Sequence, residues 1–305
     1  CNVILPVDSD RVAGAPFISQ NFWVAEQDTG EGYCAGRAGG SFGQVDFGVK
    51  VRGKAYFAIY GGGQLTEYDP SAPPGYPINP RLVAATDQGQ HGAGITTDGR
   101  VIWTAFKPKY GTLDGAMIRY DSESGAASYR NGAVNAQHVL NPILEEATGT
   151  LVAGTSWLSD CDTATPVHDT AFAVLLAPDT RDVVASAPAP TGVAAATNLG
   201  PIGQRRWLFQ CDDHLYVFHT DEAKLAPYGK RPRLPEGTAR VLYAGRPGRF
   251  LIQIGAELKR GDTGPDAFEP LATFADGFVS RWWVHGQDLT FDCGRYAAVW
   301  RGCIE

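Results

Sequence analysis

Two repeated dipeptides are spaced so that they could bring two imidazoles to one ion. Gln90-His91 and Gln137-His138 stand 47 residues apart, each just before an apolar segment. Neutral imidazole is a common ligand of Zn, Mn or Fe, and a carboxylate or a third imidazole completes such a set. The chain offers Asp160, His168 and Asp169 for that place, so a divalent metal held first by His91 and His138 is one expected cofactor. The alternative is structural, with each histidine bonding a neighbouring strand and filling space. His214 and His219 lie five apart, on opposite faces of a strand, and do not bind one ion together. His285, beside Gly286, reads as a turn residue.

Aromatic side chains offer a second chemistry. An exposed indole or phenol stacks on the face of a sugar while nearby Asp, Asn or Gln bind its hydroxyls. Trp157 is the leading candidate because it opens a polar insertion running to Asp169, and Asp160, His168, Asp169 and the loop residue Tyr110 join it as expected ligand-binding residues. Trp103 and Trp207 lie inside apolar strands, where packing accounts for them.

Six cysteines stand at 1, 34, 161, 211, 293 and 303, with no Cys-x-x-Cys pair, so neither a zinc knuckle nor a thioredoxin-type motif forms locally. Oxidised pairs are the expectation. Cys293 and Cys303 are close across the hairpin-like Gly294-Arg295-Tyr296, which leaves Cys1 with Cys34 and Cys161 with Cys211 as the simplest completion. Disulfides persist in oxidising compartments, so the chain is expected in the periplasm, at the cell surface or in the medium. Cys1 also fits the lipid-modified residue of a bacterial lipoprotein, and six reduced thiols in the cytosol are the opposing view.

Other functions are excluded or reduced. The formal net charge of −7 works against nucleic acid as a partner, because phosphate binding needs clustered Lys and Arg. One short basic run, Lys230-Arg231-Pro232-Arg233, reads as a solvated loop. No apolar run reaches the about 18 residues that cross a bilayer as a helix. Gly61-Gly62-Gly63 is followed by no Lys-Ser/Thr, so it is not a phosphate loop, and neither Ser156 nor Ser280 lies in a Gly-x-Ser-x-Gly elbow. Glu145-Glu146 precedes a turn and reads as exposed, with an acid or a metal carboxylate as the alternative.

The elements that must position these residues are short strands. Of 305 residues, 37 are Gly, 20 are Pro and 11% are aromatic, the usage of an all-β chain with many tight turns. A loose repeat carries a turn, an apolar strand, a loop and a second strand. It reads Asp98-Gly99-Arg100, Val101 to Phe106, then Ala116 to Asp121, and its strands begin near 54, 100, 150, 206 and 249. Four short strands with their turns fill such an interval, which is the size of a propeller blade. The expectation is one β-propeller domain over 1–305, of six blades with five or seven possible, closed by its termini. The loops around 86–94, 107–115, 131–141, 156–169 and 194–201 then gather at one end, opposite the Asp98-Gly99 turn.

Asp98-Gly99-Arg100 with Val101-Ile102-Trp103, and Thr148-Gly149-Thr150 with Leu151 to Thr155, resemble blades of the group that includes gluconolactonase-like, virginiamycin B lyase-like and sensor-regulator propellers. The resemblance covers about residues 50 to 260 and implies the fold. Gluconolactonase-like members hold a divalent metal with Glu, two Asn and Asp, a set not placed on this chain, so the resemblance carries the fold and not the activity. The leading expectation is a secreted or surface-held propeller that binds a glycan or protein at the channel mouth, with polysaccharide preferred. The alternatives are a metal-assisted lyase, lactonase or hydrolase using His91 and His138, and a scaffold of an extracellular assembly.

Overall fold

The computed structural model describes residues 3–40, 42–229, 240–246, 249–262, 268–273, 282–285, 288–292 and 297–300. Among the described residues the strands run as seven consecutive antiparallel units, the fourth and fifth of which share one eight-stranded sheet. The first is β1 to β4 (Val3–Pro6, Arg11–Ala15, Asn21–Glu26, Gly32–Arg37) and the second β5 to β8 (Val45–Val51, Lys54–Ile59, Gln64–Tyr68, Arg81–Ala85). The third is β9 to β12 (Gly89–Thr97, Val101–Pro108, Ala116–Asp121, Ala127–Asn131). The fourth is β13 to β16 (His138–Glu145, Thr150–Ser156, Phe172–Leu176, Val183–Pro188) and the fifth β17 to β20 (Ala195–Gly203, Arg206–Cys211, His214–His219, Lys224–Pro227). The sixth is β21 to β24 (Arg240–Arg246, Arg249–Ile254, Glu257–Asp262, Glu269–Thr273), and β25 to β27 (Trp282–His285, Asp288–Asp292, Ala297–Trp300) make the last. The sequence rhythm favours six and allows seven. The five repeat starts read from the sequence are the second strands of units two to six.

Inner strands β1, β5, β9, β13, β17, β21 and β25 lie beside one another in that order, and β25 returns to β1. The core therefore sits in layers between units. Phe22 and Leu5 of the first unit pack with Phe57 and Ile59 of the second. Tyr56 and Leu65 on the other face of that second sheet meet Ile102 and Phe106 of the third. The same alternation continues with Trp103 against Leu176, Val152 against Phe209 and Leu208 against Phe250. Period-two side chains make each strand apolar on both faces, and only a neighbour on each side removes both faces from water. The outermost strands, such as β12, remain exposed.

Polar clamps fix the layers. The fourth and fifth units are also joined by strand pairing, as Thr155 and Ser156 leave β15 and pair with Ala196 and Ala195 of β17. A side chain at Gly154 would lie 1.6 Å from the Ala196 carbonyl oxygen, so only glycine admits this crossing. Glu145 is buried: its Oε1 accepts from Trp207 Nε1 at 3.2 Å and Thr220 Oγ1 at 3.0 Å, and its Oε2 from Thr148 Oγ1 at 2.6 Å. This corrects the exposed-turn expectation for Glu145, because two donors from the next unit close over it. Trp103 Nε1 likewise donates to the Pro178 carbonyl at 2.7 Å.

The expected Cys161–Cys211 bridge is absent. Cys211 ends β18 inside the layer between units four and five, where burial pushes its thiol up to about 12, whereas Cys161 is exposed on a surface turn. Cys34 is also an exposed free thiol. Cys1, Cys293 and Cys303, and with them the other expected bridges and the lipid site, lie outside the described residues, as does the basic run 230–233. Among the described residues no helix is long and apolar enough to cross a membrane.

Glu145→Ala strands three donors, two of them in the neighbouring unit, and is expected to cost about 2 to 4 kcal/mol. Urea unfolding checks it. A loss below about 0.5 kcal/mol would show that the clamp does not hold the two units together.

Candidate functional site

Antiparallel order places the beginnings of all inner strands at one end, together with the loops that follow the second strand of each unit. There, three units contribute to one group of side chains. Asp46, the second residue of β5, is buried and carries the group. Its Oδ1 accepts from Gln44 Nε2 at 2.7 Å, and its Oδ2 accepts the Gly92 backbone N–H at 2.6 Å. A Cβ on Gly92 would stand 2.8 Å from the Asp46 Cβ, so glycine lets the carboxylate reach across to β9.

Asp46 Oδ2 also lies 3.5 Å from His91 Nδ1. On the other side of that imidazole, Nε2 is 3.9 Å from Asp160 Oδ2. The ring stacks on Tyr60 with centroids 3.9 Å apart and planes 8° from parallel. Tyr60 Oη meets Tyr110 Oη at 2.9 Å. That hydrogen bond, then burial, raises the Tyr110 pKa above the usual phenol value, so the group keeps its proton at neutral pH. Tyr110 is 44% exposed and presents an accessible ring at the rim.

Asp160 comes from the insertion between β14 and β15. The insertion makes a short 3-10 turn, Asp160–Asp162, with Cys161 and Asp162 in the left-handed region at φ 53° and 54°. Hydrogen bonds hold it in place of the expected disulfide. Thr163 Oγ1 donates to the Asp160 carbonyl at 2.8 Å, Ser159 Oγ accepts from Ala164 N at 3.0 Å, and Gly111 N reaches Thr163 Oγ1 at 3.0 Å. Asp160 is only 5% exposed, Lys107 Nζ is 3.6 Å from its Oδ1, and its Oδ2 has no hydrogen-bond partner.

The remaining predicted residues take different places. His138 begins β13 and is buried, with Nδ1 unpartnered. Burial, helped by the charge of Lys107 and opposed by a Leu158 backbone hydrogen bond, pushes its pKa down to about 3, so the ring is neutral at physiological pH. Trp157 donates its indole N–H to the Val193 carbonyl at 2.9 Å and packs on the layer between units four and five. Asp169 is exposed and accepts from Thr170 Oγ1 at 3.0 Å, while His168 Nε2 is buried without a partner. Among the described residues no three His, Cys, Asp or Glu side chains converge closely enough to hold a metal. His91, Asp160 and Tyr110 are thus brought together, whereas no hydrogen bond, ion pair or ring contact among the described residues joins His138, His168, Asp169 or Trp157 to them.

Asp46, Gln44, Tyr60 and Lys107 were not legible as site residues. Tyr60 and Lys107 lie just after or at the end of the second strands of their units, the position that points to the mouth, and this position is the signal that could have found them.

No family model and no curated protein matches the chain. Solved structures do. A chain of the mitotic checkpoint complex superposes with a TM-score of 0.66 at 12% identity, over 95% of this chain and 83% of that one. Sqt1 of Saccharomyces cerevisiae gives 0.63 at 12% identity, over 96% and 80%. The WD40 propeller domain of Doa1 gives 0.62 at 9%, over 94% and 87%. The chain is a β-propeller. At these identities the likeness is one of fold.

The folded pKa of His138 lies below its ordinary 6.5, so the folded state binds its proton less readily than the unfolded chain does. Its contribution to stability is complete above 6.5 and is lost as pH falls from there toward 3. Between pH 6 and 5 the native chain should lose about 1 kcal/mol more stability than His138→Gln. Urea midpoints of the two proteins across that interval measure it, and parallel profiles would contradict a buried neutral imidazole.

Proposed function

We propose that this propeller is a binding module whose ligand seats at the channel mouth on Tyr110, Tyr60 and His91, and that the ligand is a saccharide. The observation that carries this reading is the combination of a half-exposed phenol on a stacked aromatic pair with Asp160, Asp46 and Lys107 beside it. An aromatic face stacks on a pyranose ring, while carboxylate and ammonium groups bind its hydroxyls. Asp160 Oδ2 is a buried acceptor with no donor, an expensive state that a ligand hydroxyl would relieve.

Within the propellers, the Asp98-Gly99-Arg100 and Thr148-Gly149-Thr150 turns support kinship with the gluconolactonase-like and sensor-regulator group. An extracellular, periplasmic or surface location belongs to the same reading, and its cysteine argument now rests on Cys1, Cys293 and Cys303.

A glycan array followed by titration of the best-binding oligosaccharide tests the proposal. Tyr110→Ala and Asp160→Asn are each expected to weaken binding about tenfold or more, equivalent to about 1.4 kcal/mol. Trp157→Ala should lower the melting temperature instead, because its ring and N–H are spent on packing. No glycan bound, or full affinity in both mouth variants, would overturn the reading.

A further inference from the structure

The end of the propeller that carries the mouth also carries an apolar lip that the saccharide site does not use. Phe17 and Ile18 lie in the loop between β2 and β3, and Phe42 in the loop between β4 and β5; they are 67%, 74% and 95% exposed. The loops are tied together. Ile18 N–H donates to Gln44 Oε1 at 3.1 Å, and Gln44 in turn holds Asp46. Ile18 is kept at φ 56°, a left-handed conformation that a β-branched residue adopts only when its surroundings impose it. The outward presentation of Ile18 is therefore built into the loop, and a cluster of bulky apolar groups in water marks a surface that another molecule covers.

Charge at the same end says which molecule. The loops of the following units expose Asp87, Asp114, Asp162, Asp169 and Asp212, and among the described residues none of the five is paired with a Lys, Arg or His. Of the cations there among the described residues, Arg37 donates to Gln20 Oε1 at 2.9 Å, Lys107 faces Asp160, and Lys109 is exposed. We propose that this end docks an extended basic segment of a protein partner, whose apolar side chains cover Phe17, Ile18 and Phe42 while its Lys or Arg residues run along the aspartate rim. An anionic membrane would meet like charge at that rim, and so would a second copy of a chain with a net charge of −7.

The test uses short labelled peptides with the same Leu and Phe content and either Lys/Arg, Ser or Glu at the remaining positions, read by fluorescence anisotropy. The Lys/Arg peptide should bind at least about tenfold more tightly than the Glu peptide, and salt should weaken it. Two double variants, Phe17→Ser with Phe42→Ser and Asp87→Asn with Asp114→Asn, should each reduce that affinity about tenfold, with circular dichroism unchanged. The Phe17→Ser, Phe42→Ser protein should still bind the saccharide as the native chain does, which separates this surface from the mouth. Several results would overturn the proposal: no peptide binding, equal binding of the Glu peptide, or full affinity in the lip variant. Partition onto phosphatidylserine vesicles in preference to the peptide would do so too, as would self-association in sedimentation that the lip substitutions abolish.

Discussion

The structure depends on one constraint: the sheets whose side chains are described are apolar on both faces, and no sheet can bury both faces by itself. Phe57 and Ile59 look toward the first unit while Tyr56 and Leu65 look toward the third, so the second unit needs both neighbours. A radial array meets that need for all units and leaves only the outer strands to water. The mouth follows from it. Because each unit enters from the axis and runs outward in alternating directions, loops distant in sequence arrive at one end, and Asp46 and Tyr60 of the second unit, His91 and Tyr110 of the third and Asp160 of the fourth become neighbours.

Contacts between units are where the polar chemistry is concentrated. Glu145 is shared by units four and five, the Asp46 carboxylate by units two and three, and Lys107 with Asp160 by units three and four. Glu145 is satisfied by three donors and acts as a clamp. Asp160 is not, with one oxygen held near Lys107 and the other without a hydrogen-bond partner, and this difference sets the structural carboxylate apart from the one on which the proposed ligand is placed.

The fold was largely legible because several of the turns that follow inner strands are chemically marked. Asp98 Oδ1 accepts the backbone N–H groups of Arg100 and Val101 at 2.8 and 2.6 Å, which explains why Asp-Gly-Arg announces the second strand. The first unit escaped the rhythm because its turn uses Asp8 in the same way, bonding the N–H groups of Asp10 and Arg11, without a glycine to flag it. The site was legible in part. His91, Tyr110 and Asp160 stood out by residue type, but Asp46 did not, since its decisive partner Gly92 lies 46 residues away and only the ring brings them together. The Cys161–Cys211 expectation failed for a similar reason. Spacing does not reveal that one thiol is sealed in a layer between sheets while the other sits on an exposed turn.

The most direct test of the central claim, that the convergent end is the binding end, is hydrogen–deuterium exchange with and without a saturating oligosaccharide. The account predicts slowed exchange in the loops at 86–94, 107–115 and 156–164, and no change in the opposite turns at 98–100 and 121–126. Protection confined to those opposite turns, or to the outer strands, would contradict it.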